Sequence, residues 1–239
     1  MRSINQSNEI FTFHLVKIPF LSLPKFLFSS LHKRNIPGVL HSESFFTMNL
    51  GESIFSPNRY NLQSFAFFVW WREESFLDAM LNDPSFGILK EGWHVRMKLY
   101  RRWGEISSLK EATIVTKQEL SEKPVVAVTL ARLKLTQTLR FIKWGKPVEK
   151  QVKNHSGQIL ALAALRPLNT FSTFSIWKNE SAMIDMVYGR DRQFDGESHQ
   201  LAMMERNRKD FHYEFTTMRF TPFKEVGVWK GESNYLNLS

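Results

Sequence analysis

The stretch TFSTFSIWKNESAM, residues 170–183, repeats the plan of SFAFFVWWREES, residues 64–75. Each is a Phe-rich run that ends in tryptophan and then turns charged. An offset of 106 residues gives six identities in sixteen positions and also places Lys178 on Arg72. The identical pairs are Phe65 and Phe171, Phe68 and Phe174, Trp71 and Trp177, Glu74 and Glu180, Ser75 and Ser181, and Met80 and Met186. Such self-similarity predicts a duplicated structural unit.

The flanking segments extend the repeat in both directions. An offset of 115 places FTFHLVK (11–17) on VAVTLAR (126–132), and an offset of 118 places Trp93-His94 on Phe211-His212. The larger downstream offset predicts a second-half helix that is about three turns longer than its first-half counterpart.

Each half is predicted to contain a strand, a helix, two strands, a helix and a strand, from apolar alternation and helical spacing. The predicted elements are 10–18, 23–34, 38–49, 65–71, 73–81 and 93–103 in the first half. In the second half they are 125–134, 136–153, 158–165, 170–177, 181–209 and 211–220. This order is that of a ferredoxin-like unit, whose sheet carries two helices on one face.

Two such units can bury their open sheet faces against each other. We therefore predict an α+β fold in which two tandem ferredoxin-like (βαββαβ) units, residues 1–103 and 124–239, form an intrachain dimeric α/β-barrel. The polar residues 104–123 are predicted to form an exposed linker, with room for one helical turn.

The composition limits the chemistry. The 239 residues include 21 Phe and no cysteine, which excludes disulfides, thiolate nucleophiles and cysteine-bound metal centres. There is no Gly-x-Ser-x-Gly elbow, no phosphate-binding loop and no dinucleotide-binding Gly-x-Gly-x-x-Gly, which counts against hydrolase and nucleotide-dependent functions. The interrupted apolar N-terminus predicts neither a signal peptide nor a membrane span.

The charge is dispersed along the chain. The formal net charge is +9, but the basic clusters are broken by apolar residues, so no nucleic-acid partner is expected. The absence of cysteine is compatible with the cytoplasm. Peripheral contact with an anionic membrane is kept as an alternative, because a lipid-soluble substrate and a positive charge would both favour it.

Several segments resemble the spheroidene monooxygenase family of carotenoid-modifying enzymes. They are PVVAVTLARLKLTQTLRFIKW (124–144), TFSTFSIWKNESAM (170–183), HQLAMMERNRKDFHYEFTTMRF (199–220) and the closing GVWKG (227–231), with a fainter likeness over GESIFSPNRYNLQSFAFFVWW (51–71) and EGWHVRMKLYRRWGE (91–105). The resemblance implies a dimeric α/β-barrel, oxygen insertion into a hydrophobic polyene, haem as cofactor and an electron donor that the sequence does not identify. One departure is LAALRP (162–167), where the family has a glycine-containing loop. Side chains there obstruct the close backbone approach that glycine permits, which predicts either a lost ligand contact or a different substrate.

If haem is bound, the resemblance implies His199 as the axial ligand, since it matches a family histidine on the second helix of the C-terminal unit. A helical wheel places His199, Ala202, Met203 and Arg206 on one side and Leu201, Met204 and Arg208 on the other. If the first side faces a cavity, His199 can reach an iron. If the second does, His199 is a surface histidine.

Other candidate residues follow from the same hypothesis. Arg206 is a candidate partner for haem propionates, because guanidinium suits carboxylates, although a solvated surface role is equally compatible with ERNRKD (205–210). Met203, Trp71 and Trp177 are candidate substrate-pocket residues, with a core role as the alternative for both tryptophans. His94 and His212 are interpreted as duplicated structural residues.

Two functions therefore stand as hypotheses. The first is a spheroidene monooxygenase-like, haem-dependent enzyme acting on a carotenoid or another hydrophobic substrate. The second is a barrel protein without catalytic activity that binds a small apolar ligand or serves assembly, because a fold does not fix a function.

Overall fold

A computed structural model describes residues 8–19, 35–116, 122–190 and 198–238. Eight antiparallel strands form its centre: β1 (Ile10–Lys17), β2 (Val39–Met48), β3 (Tyr60–Trp71), β4 (Trp93–Glu105), β5 (Val125–Leu133), β6 (Gln158–Arg166), β7 (Thr170–Trp177) and β8 (His212–Val226). They close into a barrel in the order β1-β3-β2-β6-β7-β5-β8-β4. The mixed α+β class predicted from the sequence is confirmed.

Each half contributes its four strands to the barrel in the same internal order. Starting from the last strand of each half, the order around the barrel is β4-β1-β3-β2 in the first half and β8-β5-β7-β6 in the second. Ile10 lies opposite Trp71 and Val125 lies opposite Trp177, so the pairing reproduces the sequence offsets of 115 and 106. The halves meet where β2 pairs with β6 and β4 pairs with β8.

The last strands of the two halves, β4 and β8, are related by a different sequence offset. Met97 lies opposite Phe11 in β1, and Phe220 lies opposite Val126 at the matching position of β5. The same register places Thr217, opposite Thr129, where the first half has His94, opposite His14. The sequence alignment of His94 with His212 is therefore wrong. It followed the identity of the two histidines, which do not occupy equivalent positions in the strand pairing.

Alternate side chains of every strand point into the barrel and form its main core. This core is rich in aromatic rings, and Phe13 stacks on Phe174 across it with ring centroids 4.0 Å apart. The opposite faces of the strands bury their side chains beneath helices. Burial on both faces explains why β3 and β7 read as nearly continuous apolar runs in the sequence.

The helices lie outside the barrel. They are α1 (Glu74–Asn82), α2 (Gly87–Glu91), α3 (Thr138–Asn154), α4 (Glu180–Val187) and α5 (Ser198–Arg208). The helix predicted over 23–34 lies wholly outside the described residues. Among the residues described, no helix has the length and apolar character needed to cross a membrane.

The single long helix predicted over 181–209 is wrong, because the chain leaves the helix at Tyr188. Gly189 adopts a φ of 63°, its N–H donates to Met186 O (3.2 Å), and Arg190 N–H donates to Asp185 O (2.9 Å). This pair of bonds is the Schellman termination that glycine favours. The helical segment is thereby divided into α4 and α5.

The predicted linker, 104–123, is less exposed than its composition indicates. Ile106, Leu109 and Ala112 are buried and join the barrel core, and a 3-10 turn spans Ser107–Leu109. The C-terminal segment joins the same core through Trp229 and Leu236. Glu225 fixes that segment by accepting hydrogen bonds from the N–H groups of Tyr235 (3.0 Å) and Leu236 (2.9 Å).

A buried ion cluster joins the two halves inside the barrel. Glu43 of β2 is 1% exposed and accepts hydrogen bonds from His41 of the same strand and from Arg132 and Arg166 of the second half. Arg166 ends β6, whose residues Ala163 and Ala164 pair with β2. The segment 162–165, expected as an altered ligand loop, is therefore part of the strand that joins the halves.

Candidate functional site

A cavity of about 500 Å³ lies between the outer face of the second-half sheet and helices α3, α4 and α5. A volume of this size suits a small organic ligand or cofactor. Its walls are mainly aromatic and aliphatic: Phe141, Trp144, Val148, Val152, Phe171, Trp177, Met183, Met186, Met203, Phe211 and Phe215 contribute. Polar groups enter from β5, β7 and β8, from one face of α5 and, as Glu149, from α3.

Helix α5 faces the cavity with one of the two sides predicted from the helical wheel. The cavity-lining residues of this side are His199, Ala202, Met203 and Arg206. Leu201 and Met204, on the other side, are 44% and 67% exposed. Of the two orientations left open by the sequence, the structure therefore has the one in which His199 can reach a bound group.

Gln151 of α3 holds the two helices that follow in the chain. Its side-chain oxygen accepts a hydrogen bond from the backbone N–H of His199 (3.0 Å), and its amide nitrogen donates to Met186 O of α4 (2.7 Å). The first turn of α5 is thus fixed against the cavity wall by a buried side chain. This contact satisfies a helix N-terminal N–H that has no partner within the helix.

The His199 side chain is half-buried and donates to the backbone carbonyl of Val187. Burial lowers the pKa of His199, and the hydrogen bond to Val187 opposes that shift without cancelling it. The ring is therefore neutral at pH 7. One ring nitrogen carries the donated proton and the other keeps a lone pair, which is the state required of a metal ligand.

Two arginines bring positive charge to the apolar cavity. Arg206 lies over the ring of Phe215 at 3.9 Å and 3.9 Å from Asp210, and Arg219 lies over the ring of Trp103 at 4.4 Å. Arg219 also donates to Glu180 (3.2 Å). Since each guanidinium has five N–H donors, these contacts leave donors for a carboxylate ligand. Arg206 thus lies where the sequence hypothesis needs it, and Arg219 was not predicted.

His212 is a second histidine of the cavity, although the sequence pattern predicted only a structural role for it. Its Nδ1 lies 3.0 Å from Asp210 Oδ1, and its side chain is buried. A β-bulge decides its direction, since Arg132 pairs with Glu214 and Leu133 with His212, so that Tyr213 is the extra residue. The bulge turns His212 to the cavity face of β8, as bulges do near functional sites.

The two tryptophans predicted for a substrate pocket lie in different places. Trp177 lines the cavity, and its indole N–H donates to Ser175 Oγ (2.8 Å). Trp71 is fully buried beneath the helices of the first half and donates to Thr12 Oγ1 (2.9 Å). The structure thus brings His199, Met203, Arg206 and Trp177 together and leaves Trp71 apart from them.

The first half has its own histidine pair. His14 and His94 stack with ring centroids 4.8 Å apart, and burial lowers the pKa of both, to about 4 for His94. Within the described parts of the chain, no three His, Asp or Glu side chains converge on one point.

Comparisons with known proteins agree with the sequence resemblance. A segment of 109 residues is 32% identical to spheroidene monooxygenase of Rubrivivax gelatinosus, covering 45% of this chain and 39% of that enzyme. The predicted resemblance to spheroidene monooxygenase is confirmed over this segment, which spans about two fifths of the length of that relative. The chain matches no protein-family model.

Solved structures share the fold. An aldoxime dehydratase crystallised with butyraldoxime superposes with a TM-score of 0.56 over 96% of this chain and 86% of its own, at 7% identity. A second aldoxime dehydratase structure gives a TM-score of 0.50 over 92% and 83% of the two chains, at 8% identity. At such low identity these likenesses show the architecture and nothing of the chemistry.

Proposed function

We propose that the second-half cavity binds haem with His199 as the axial ligand, and that the chain acts as an oxygenase on an apolar substrate. The observation that carries the proposal is the state of His199. It is a neutral imidazole that lines a largely apolar cavity with one nitrogen held by the Val187 carbonyl. A single histidine is sufficient for haem, because the porphyrin supplies the equatorial ligands.

The other cavity residues fit the remaining parts of a haem. Aromatic and methionine side chains suit the porphyrin faces, which are apolar and polarizable. Arg206 and Arg219 reach the cavity as guanidinium groups, which pair with carboxylates in a bidentate geometry and so suit the propionates. When bound, haem supplies the activation of oxygen, which amino-acid side chains do not perform.

The chain's own groups would prepare this chemistry. His199 would hold the iron, and Gln151 and Val187 would keep its ring and helix in place. The apolar wall would exclude water and accept the hydrophobic part of a substrate, for which a carotenoid is proposed from the relative's name. The same wall would serve the alternative function, binding of an apolar ligand without catalysis.

We also propose that the fold arose from two tandem ferredoxin-like units. The common strand order of the halves and the shared offsets of 115 and 106 support this origin. In this interpretation, the cavity lies between the sheet and the helices of the second unit. The predicted boundaries, 1–103, 104–123 and 124–239, follow this division.

Haem titration of two tryptophan variants tests whether the cavity is the binding site. Ala202 lines the cavity, so Ala202→Trp should fill part of the space and abolish the Soret band that the parent protein develops with haem. Leu201, its neighbour on α5, is 44% exposed, and Leu201→Trp should bind haem like the parent. Circular dichroism verifies that both variants are folded. Equal haem binding by both variants would place haem elsewhere.

Isotope incorporation tests the oxygenase proposal. Haem-loaded protein is supplied with ¹⁸O₂, an artificial electron donor and a carotenoid polyene, and the products are analysed by mass spectrometry. We expect product containing ¹⁸O from the parent and none from Ala202→Trp, because that variant lacks the bound cofactor. Haem binding without ¹⁸O in any product would contradict the oxygenase and favour a binding protein.

A further inference from the structure

His212 presents an unpaired nitrogen in a buried position. Its residue is 5% exposed, it lines the second-half cavity, and its Nε2 has no hydrogen-bond partner among the described residues. A buried polar atom without a partner costs free energy. Because His212 is a residue of the cavity wall, a ligand in the cavity can supply the partner that Nε2 lacks.

Asp210 determines which nitrogen is unpaired. Its Oδ1 lies 3.0 Å from His212 Nδ1 and also accepts the backbone N–H of His212 at 2.9 Å. A carboxylate at this position holds the proton on Nδ1, so Nε2 carries the lone pair. Burial lowers the pKa of His212, and Asp210 opposes that shift without cancelling it, which leaves the ring neutral.

The surroundings of His212 define the rest of the ligand. The imidazole contacts aromatic rings on two sides, Phe141 at 5.8 Å and Phe215 at 4.9 Å between centroids. Arg206 lies over the ring of Phe215 at 3.9 Å. The His212 ring thus lies among aromatic rings and carries one acceptor nitrogen.

We propose that Asp210 and His212 form a ligand-recognition pair, which binds an apolar molecule carrying one hydroxyl group by accepting a hydrogen bond at Nε2. The proposal rests on the proposed function only in using the same cavity, and it does not require haem. It narrows the substrate class from any apolar molecule to one with a single hydrogen-bond donor.

Calorimetric titration of the haem-free protein with two probes tests the proposal. The probes are 1-naphthol and 1-methoxynaphthalene, which share the ring system but differ in the hydroxyl donor. We expect the parent to bind 1-naphthol about tenfold more tightly, the effect of one buried hydrogen bond. His212→Phe should bind both probes equally, because the apolar ring is kept and the acceptor is lost.

Two further variants refine the assignment. Tyr213→Phe changes the neighbouring side chain, which is 72% exposed, and should keep the tenfold preference. Asp210→Asn should weaken the preference, because a neutral amide supports the Nδ1–H tautomer less strongly than a carboxylate. A parent that binds both probes equally or binds neither, or a His212→Phe variant that keeps the preference, would overturn the proposal.

A measurement on the parent protein covers the case in which His212→Phe fails to fold. Imidazole ¹⁵N NMR should show Nδ1 protonated and Nε2 unprotonated, and the Nε2 signal should shift when 1-naphthol binds. A proton on Nε2, or no shift on binding, would overturn the proposal. The haem titration judges the proposed function separately, since none of these measurements includes haem.

Discussion

Replacing Glu43 by Gln is expected to lower the free energy of unfolding by about 3 kcal/mol, because it removes one partner of a buried ion cluster. Glu43 is 1% exposed and pairs with Arg132 and Arg166, whose side chains are 16% and 29% exposed. In Glu43→Gln both guanidinium groups keep their charge, while Arg166 loses its carboxylate partner and Arg132 retains only Glu214, at 4.0 Å. Urea unfolding measures the change.

A surface pair provides the control. Asp185 and Arg190 lie 3.9 Å apart with side chains that are 40% and 66% exposed. Asp185→Asn should cost less than about 1 kcal/mol, as exposed ion pairs do. A Glu43→Gln variant as stable as Asp185→Asn would show that the cluster contributes little to joining the halves.

The same cluster predicts a pH dependence. Burial alone would raise the pKa of Glu43, but the hydrogen bond from His41 and the charges of Arg132 and Arg166 outweigh burial and lower it to about 2. A lowered folded-state pKa stabilises the protein fully above the ordinary value near 4.5, and this contribution is lost as the pH falls to about 2. The stability difference between parent and Glu43→Gln should therefore shrink over this range.

His199→Ala is expected to weaken haem binding by on the order of 100-fold, because it removes the proposed axial ligand. The substitution shortens a side chain that lines a cavity, so the fold should be retained. It also leaves space for a free ligand, and added imidazole should restore a histidine-ligated spectrum. Titration followed at the Soret band measures the affinity with and without imidazole.

The variant His212→Phe tests which of the two cavity histidines is the axial ligand. If His199 is the ligand, His212→Phe should keep the axial ligation of the parent protein. Loss of the Soret band in His212→Phe and its retention in His199→Ala would assign the iron to His212. That result would contradict both the ligand proposed here and the free Nε2 on which the recognition pair depends.

Much of the fold could be predicted from the sequence, because buried strands give strong local signals. The matched runs ending in Trp71 and Trp177 predicted equivalent strands, and the pairing of β1 with β3 and β5 with β7 has the same register. No such signal marked β4 and β8, whose sequence alignment followed the identity of His94 and His212. The helix break at Gly189 was missed because the charged and apolar spacing continues past it.

The candidate site was predictable where it lies on a helix. The regular spacing of α5 placed His199, Met203 and Arg206 on one face before the structure showed which face is buried. His212 was not predictable in the same way, since its direction depends on the bulge at Tyr213, and one extra residue inverts the alternation of a strand. Trp71 and Trp177 look alike in sequence, but only Trp177 lines the described cavity.

The absorption spectrum of the parent protein after haem addition and gel filtration tests the central claim most directly. We predict a Soret band that elutes with the protein at one haem per chain and has the position and shape of histidine-ligated haem. A colourless protein fraction, with all haem eluting free, would contradict the claim that this cavity is a haem site.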